Sequence, residues 1–252
     1  MDAPSPDAGY IPLWIGGAIR GRVRRDIAVS LRGMPEIAEA EIGLQLVAPE
    51  GPRGRAARSV ALQSVARQLH ALGLIADWRD EPSALLDEHG VEVARCERGA
   101  FRTLGMQNRA VHVNGWCPDG SLWVARRSAR KRADPGKLDN MAAGGVGAGE
   151  TLRACALREA WEEAGVPRRL AGAMDFPGMV IRSLRETRFG LHDELVIVAD
   201  LALPADFEPV GRDGEVESFR RMSIPEVEAA LAAGEFTVES ALATRESIAR
   251  RG

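Results

Sequence analysis

The stretch Gly144–Val166, GGVGAGETLRACALREAWEEAGV, decides how the fold and the chemistry of this chain are interpreted. A glycine-rich segment leads into an alanine-rich helical pattern, which Gly165 is expected to end. Glu159, Glu162 and Glu163 follow one another at i, i+3 and i+4, so they share one face of that helix. Like charges at these spacings repel, and their grouping therefore requires an explanation.

The helix alone leaves two interpretations of the glutamates open. They form a solvated acidic face, or their oxygens form a site for a hard cation such as Mg²⁺. The glycines in front favour the second, because backbone without side chains can approach a metal or a phosphate closely. Arg158 is expected to offset part of the repulsion by pairing with Glu162. The opposite, apolar side of the helix is predicted to consist of Leu157, Ala160, Trp161 and Ala164.

The spacing resembles the Nudix box, G-x5-E-x7-R-E-U-x-E-E-x-G-U, in which U is an aliphatic residue. Every fixed position is matched over Gly144–Val166, although Ala160 is smaller than the usual residue at the first U. The resemblance implies a role for each matched residue: Glu162 and Glu163 as the main metal ligands, Glu159 as a ligand or as the base towards water, Arg158 as the group that orients the carboxylates, and Gly144 as a carbonyl ligand.

The resemblance also implies a fold and a reaction. The fold is α+β, an α/β/α sandwich with a mixed sheet, and the reaction is hydrolysis of a small-molecule diphosphate with Mg²⁺ or Mn²⁺. Some relatives use a further glutamate outside the box, for which the candidates are Glu194, Glu215 and Glu217. The basic run before the glycines is either a solvated loop or a phosphate clamp. Its candidate substrate-binding residues are Arg126, Arg127 and Lys131.

The segments that flank the box resemble one subgroup of the Nudix family. Phe101–Gly105, Val111–Gly115, Leu122–Ser128 and Pro135–Asn140 are similar to a Nudix subgroup with an N-terminal domain of its own, related to the Nudix domain fused to thiamine pyrophosphokinase. This similarity implies hydrolysis of thiamine diphosphate, or of its oxidised analogues, to the monophosphate. The candidates for stacking on a thiamine-like ring are Trp14, Trp116 and Trp123, each of which could equally be a core residue.

Three other functions remain open. A general Nudix pyrophosphatase acts on ADP-ribose or nucleoside diphosphate derivatives, and the box does not select the leaving group. An isopentenyl-diphosphate-isomerase-like enzyme needs a positioned thiol, for which Cys117 is the candidate. A non-catalytic sensing module is expected to have lost the ligating glutamates, which this box retains.

The composition excludes several classes of protein. The 252 residues carry 33 basic and 36 acidic side chains, a net charge of −3, which does not favour nucleic acid or an anionic membrane as a partner. The three cysteines form no CxxC pair, and neither a signal peptide nor a membrane span is recognisable. We therefore expect a cytoplasmic protein.

The predicted organisation is a frayed terminus at residues 1–9, a small α+β domain at 10–100 and the Nudix domain at 101–252. The small domain is expected to line the substrate pocket, to form a dimer face in a homodimer, or to cover a sheet edge. Within it, the pattern predicts a hairpin turning at Gly16-Gly17. In the larger domain we predict a hairpin over Ala110–Arg126, a central strand at Leu195–Leu201 and a capped helix from Ser223.

Overall fold

The computed structural model describes residues 9–75 and 77–251. The predicted frayed terminus lies, apart from Gly9, outside the described residues. Contacts between Cα atoms group the chain into two units. Unit 1 comprises the described part of residues 1–108 together with 147–149 and 184–194, and unit 2 comprises the described remainder. Within the described residues, every helix is too short or too polar to cross a bilayer.

Unit 1 contains a four-stranded sheet and a separate hairpin. The sheet has the order β2-β1-β4-β3, and β1 pairs antiparallel with β2 but parallel with β4, so it is mixed. The predicted hairpin is confirmed, because Gly16 and Gly17 both have positive φ between β1 and β2. The elements are Tyr10–Ile15 (β1), Ala18–Arg24 (β2), Arg25–Leu31 (α1), Ile37–Glu39 (β3), Leu44–Leu46 (β4), Arg55–Ala71 (α2), Pro82–Leu86 (β5), Glu92–Glu97 (β6) and Arg98–Leu104 (α3).

Unit 2 contains most of a seven-stranded sheet, of which the strand residues 107–108, 184–187 and 190–194 are grouped with unit 1. Its main path has the order β11-β12-β7-β8-β13, with β10 also paired to β7 and β9 to β8. The predicted hairpin is confirmed as β7 and β8, and the predicted central strand is the interior strand β12. The elements are Gln107–Trp116 (β7), Leu122–Arg127 (β8), Leu138–Asp139 (β9), Ala142–Gly145 (β10), Leu152–Ala164 (α4), Arg168–Ala171 (α5), Val180–Thr187 (β11), Gly190–Ala202 (β12), Val216–Met222 (β13), Ile224–Ala232 (α6) and Val238–Ala249 (α7).

Alternating residues of β7 face two different helical layers. Val111 and Val113 share a core cluster with the buried alanines of α4. Trp116 packs in another cluster with residues of α6, and its indole nitrogen donates to Ser247 of α7. Because successive strand residues point to opposite faces, helices cover both sides of the sheet. The predicted α+β sandwich is confirmed.

Two features of the structure differ from the sequence predictions. Trp161 was expected on the apolar side of its helix, but it is 46% exposed. That prediction is wrong: the buried face of α4 carries Cys155, Ala156 and Ala160 together with two of the glutamates. The helices α1 and α3 and the strand β13 were not predicted, because α1 and α3 are only seven residues long and β13 has mostly exposed side chains.

Candidate metal and active site

The helix α4 has defined ends that fix the positions of its glutamates. Thr151 is the N-cap, and its hydroxyl oxygen accepts a hydrogen bond of 3.1 Å from the Ala154 N–H. Gly165 ends the helix in the left-handed conformation, with φ of 65°. The predicted glycine stop is therefore confirmed. A substituted residue would be strained at that φ.

The short glycine strand β10 lies beside the buried glutamates. Gly144 pairs with Val111 of β7, and a Cβ atom added to Gly144 would overlap the carboxylate of Glu159. The neighbouring Ala143 N–H donates a 2.8 Å hydrogen bond to Glu163 Oε2. Glu159 and Glu163 are only 8% and 6% exposed. Gly144 thus leaves space for the Glu159 carboxylate, and the neighbouring backbone N–H of β10 binds the Glu163 carboxylate.

Arg158 joins the glutamates into one hydrogen-bonded group. Its Nε and Nη2 atoms donate to the two oxygens of Glu150 at 2.9 and 3.0 Å. Its Nη1 atom donates to Glu159 at 2.6 Å and to Glu162 at 3.2 Å, so the predicted pair with Glu162 is confirmed. The hydrogen bonds to Glu150, and then the charge of Glu159, raise the pKa of Arg158 above its ordinary value. A planar guanidinium with a fixed set of donors suits this arrangement.

Glu163 is the most deeply buried of the three glutamates, with a side chain 8% exposed against 10% for Glu159 and 44% for Glu162. Burial raises the pKa of its carboxyl well above the ordinary value, and the negative charges of Glu159 and Asp139 act in the same direction. The ammonium of Lys131, 3.8 Å from Oε1, and the hydrogen bond from Ala143 oppose this rise. An additional cation next to this buried carboxyl group would favour its ionised form.

A loop after β12 brings two further carboxylates to Glu163. Oxygens of Glu163, Asp213 and Glu215 lie within 4.8 Å of one another. The loop is attached to the end of α4, where the Arg212 N–H donates to the Glu162 carbonyl at 2.9 Å. The Arg212 guanidinium also lies 3.9 Å from the centre of the exposed Trp161 ring. Trp161 is thus in contact with this loop.

Sequence reasoning proposed Glu215 as a candidate but missed Asp213. Both belong to the same polar turn, Arg212-Asp213-Gly214-Glu215, and the Glu215 N–H donates to Asp213 Oδ1 at 2.8 Å. Partial burial raises the pKa of the Asp213 carboxyl. Only the spacing D-x-E could have indicated the pair, and that spacing is common on protein surfaces.

The other candidates for an accessory glutamate lie elsewhere. Glu194 belongs to unit 1, where its carboxylate is 3.6 Å from His192 Nε2. Glu217 is exposed on β13. Among the three, Glu215 is the one that the structure groups with a glutamate of α4.

The three candidate phosphate-binding cations have different partners. Arg126 donates to the Gly136 carbonyl at 2.6 Å. Arg127 forms a 2.7 Å ion pair with Asp139 and donates to two carbonyls of the loop that precedes β9. Lys131 pairs with Glu215 and lies near Glu163. Both arginines therefore fasten the loop between β8 and β9, whereas Lys131 is turned towards the carboxylates.

The candidate aromatic and thiol groups have mainly structural contacts. Trp116 is buried and is covered by the guanidinium of Arg251 at 4.4 Å, while the Trp14 indole donates to the Ile42 carbonyl at 2.8 Å. Trp123 is partly buried against the core beside α4. Burial raises the pKa of the Cys155 thiol to about 12, and Cys117 is also buried.

The donor set of this site fits a hard divalent cation. Glu159, Glu162, Glu163, Asp213 and Glu215 offer carboxylate oxygens, and no cysteine or histidine lies in the described acidic group. Mg²⁺ and Mn²⁺ prefer carboxylate, carbonyl and water oxygens. Because Gly144 has no side chain, the Glu159 carboxylate can lie close to the backbone of β10.

Comparison with known proteins identifies the family. The family described as the NUDIX domain matches residues 106–241, which is more than half of the chain. The chain therefore belongs to the Nudix hydrolase family, whose members depend on divalent metals, typically Mg²⁺ or Mn²⁺.

Individual relatives match a larger part of the chain. Nudix hydrolase 24, chloroplastic, from Arabidopsis thaliana is 30% identical over 229 residues, covering 86% of this chain and 61% of its own length. Nudix hydrolase 20, chloroplastic, from the same plant is 33% identical over 174 residues, covering 68% of this chain and 46% of its own length. This chain thus spans about half to three-fifths of the length of these relatives.

One solved structure has a similar fold. The crystal structure of DR0079 from Deinococcus radiodurans aligns with a TM-score of 0.50 and 24% identity. The alignment covers 66% of this chain and 98% of that protein. At this identity the similarity concerns the fold alone.

Proposed function

We propose that the protein hydrolyses the diphosphate linkage of a small molecule with the help of Mg²⁺ or Mn²⁺. The observation that supports this best is the arrangement around α4. Arg158 fixes Glu159 and Glu162 in one hydrogen-bonded group. Asp213 and Glu215 meet the buried Glu163 beside it. Such a group of carboxylates is costly to assemble without a cation, so it points to a cation-dependent reaction.

Each residue of the site has its own role in the proposed reaction. A bound divalent cation would neutralise phosphate oxygens and stabilise charge on the leaving group. Glu162, Glu163 and the Gly144 carbonyl would hold it, with Asp213 and Glu215 as further oxygen donors. Glu159 would take the proton of the attacking water, since Arg158 orients its carboxylate through a 2.6 Å hydrogen bond. Lys131, whose ammonium lies beside Glu163 and Glu215, would bind the anionic substrate.

The substrate proposed first is thiamine diphosphate or one of its oxidised analogues, with the monophosphate as product. Support comes from the sequence resemblance to the subgroup with an N-terminal domain, which extends from about Tyr10 to about Leu231. Trp123 is the more suitable stacking candidate, because the Trp116 ring is already covered by Arg251. The alternative is a general Nudix pyrophosphatase acting on ADP-ribose or nucleoside diphosphate derivatives.

Two other hypotheses are less well supported. An isomerase of the isopentenyl-diphosphate type would use a reactive thiol, but Cys117 is buried and the Cys155 thiol points at the carbonyls of Gly144 and Gly145. A purely sensing module has no need for a fully retained set of glutamates. The buried, unpaired cysteines support a reducing compartment such as the cytoplasm. A homodimer stays a prediction.

Product analysis with purified protein tests the proposal. The panel contains thiamine diphosphate, oxothiamine diphosphate, ADP-ribose and nucleoside diphosphates, each with Mg²⁺, and compares wild type with Glu163→Gln. Glu228→Gln, an exposed glutamate of α6, is the matched control. We expect monophosphate from the thiamine compounds, lost at least about 100-fold in Glu163→Gln and retained in the control. Preference for ADP-ribose would contradict thiamine diphosphate as the substrate. Inactivity of the wild type on every compound would contradict the proposed hydrolase activity.

A further inference from the structure

Lys131 is a cation that the structure places among the candidate metal ligands. Its ammonium pairs with Glu215 and lies 3.8 Å from Glu163 Oε1. The Lys131 side chain is only 14% exposed, so water screens its charge weakly. Glu215 and Glu163 also belong to the group whose oxygens lie within 4.8 Å of one another. The ammonium thus shares its partners with any divalent cation held there.

The backbone that carries Lys131 is fixed, whereas its side chain is long and flexible. Arg127 fastens the loop through Asp139 and through the carbonyls of Ala133 and Asp134. The Ser128 N–H donates to the Glu215 carbonyl at 2.9 Å, which joins the loop to β13. Lysine has four rotatable methylene links and a point charge with no fixed donor geometry. The ammonium can therefore change partners while the loop stays in place.

We propose that Lys131 competes with the divalent cation for Glu163 and Glu215 and moves to the substrate diphosphate when the cation binds. The proposal rests on the proposed function and describes how its site is regulated. A divalent cation and an ammonium bound to the same carboxylates repel each other strongly at such distances. A diphosphate next to the site offers the displaced ammonium new oxygens. The diphosphate and the cation therefore strengthen each other's binding through Lys131.

This coupling would limit cation binding in the absence of substrate. The ammonium raises the concentration of metal needed to occupy the carboxylates alone. A diphosphate removes that competition, so metal and substrate enter together. Because coupling between two ligands is reciprocal, the metal must raise the affinity for the diphosphate by the same factor.

The test measures Mn²⁺ binding rather than activity. Titration calorimetry and the electron paramagnetic resonance signal of free Mn²⁺ give the dissociation constant, with and without methylenediphosphonate, a diphosphate with a bridge that is not hydrolysed. Lys131→Met is compared with wild type, and Arg130→Met is the control, since it removes the same charge from an exposed neighbour. For Lys131→Met without the diphosphonate we expect Mn²⁺ binding about tenfold tighter. The diphosphonate should tighten Mn²⁺ binding more in wild type and in Arg130→Met than in Lys131→Met.

Each result distinguishes this proposal from the proposed function. Equal or weaker Mn²⁺ binding by Lys131→Met, in a variant whose urea unfolding matches wild type, would overturn the competition. An equal effect of the diphosphonate on all three proteins would overturn the transfer to phosphate. If wild type and both variants bind no Mn²⁺ under either condition, the metal site itself is refuted, and the proposed function with it. Lys131→Arg, which keeps the charge, should bind Mn²⁺ as weakly as wild type.

Discussion

Gly144 and Glu159 are packed so closely that no side chain fits between the strand β10 and the carboxylate on α4. The two residues are fifteen positions apart, but the pairing of β10 with β7 and the packing of α4 on the sheet bring them together. The nearest atoms of any Cβ at position 144 would be the carboxylate carbon and both oxygens of Glu159. The geometry of the site therefore depends on the absence of a side chain at this position.

Gly144→Ala should lower activity much more than it lowers stability. The added methyl group has to displace the Glu159 carboxylate, and a misplacement of about 1 Å can reduce the rate about 100-fold. Gly211→Ala is the control, because a Cβ there would meet its neighbours at 3.5 Å, an ordinary contact. Steady-state kinetics on the substrate that the product analysis selects, together with urea unfolding, measure both effects. Equal kcat in the two variants would contradict the role given to Gly144.

Arg158→Lys should preserve the charge but lose the positioning of the glutamates. Lysine cannot donate at the same time to both oxygens of Glu150 and to Glu159, as the guanidinium does. We expect kcat to fall about 10- to 100-fold with a smaller change in KM, because orientation rather than charge is lost. Arg153→Lys, a change on the same helix where the arginine donates to backbone carbonyls, is the control. A wild-type kcat for Arg158→Lys would show that a positive charge at this position is enough for activity, without the donor geometry of the guanidinium.

The sequence predicted which residues of the candidate site lie close together on α4, because they are near one another along the chain. The interval from Gly144 to Val166 lies within one strand, one loop and one helix, so spacing and helical periodicity determine which side chains share a face. The pair between Arg158 and Glu162 followed from the same argument and is confirmed. The hairpins and the interior strand β12 were predicted for the same reason.

Contacts between distant segments could not be predicted in this way. Asp213 reaches Glu163 because a loop fifty residues further on is attached to the end of α4. Trp161 is exposed and its ring lies against the Arg212 guanidinium of that loop, whereas helical periodicity alone placed it on the apolar side. Arg126 and Arg127 of the basic run bind carbonyls of their own loop, a detail that depends on its turn geometry. Each of these facts requires knowledge of tertiary packing.

Glu163 should make the stability of the protein depend on pH. Its carboxyl has a pKa raised by burial, so between its ordinary value near 4.5 and the raised value the folded protein binds more protons than the unfolded chain. The free energy of unfolding therefore falls as the pH rises through this interval, by at most about 1.4 kcal/mol per pH unit for one proton. Glu163→Gln removes this contribution.

Urea unfolding between pH 5 and 8.5 in buffer with EDTA measures this dependence. Wild type should lose stability relative to Glu163→Gln as the pH rises, because Glu159 and Asp139 also oppose the charged carboxylate. Added Mn²⁺ should reverse the difference, since the cation favours the ionised form. Two unfolding curves that stay parallel over the whole range in EDTA would show that the pKa of Glu163 is not raised.

A buried polar cluster between the sheet and α7 is centred on Asp200. This carboxylate, in a residue only 2% exposed, accepts hydrogen bonds from Ser247 at 2.5 Å and Asn114 at 3.2 Å, and pairs with Arg250 at 3.2 Å. Asn140 continues the cluster to His112, whose Nδ1 lies 2.8 Å from the Asn140 oxygen.

Asp200→Ala should destabilise the protein without acting directly on the candidate active site. It leaves the Asn114 amide and the Ser247 hydroxyl without their acceptor, while Arg250 keeps its ion pair with Asp175, and each unsatisfied buried polar group costs about 1–3 kcal/mol. Asp206→Ala, at an exposed position, should change the free energy of unfolding by less than about 0.5 kcal/mol. At a temperature where Asp200→Ala remains folded, its Mn²⁺ affinity should equal that of wild type, because its partners are distinct from the carboxylates around α4. A variant as stable as wild type would mean that water or rearranged side chains replace the carboxylate, and that α7 does not depend on it.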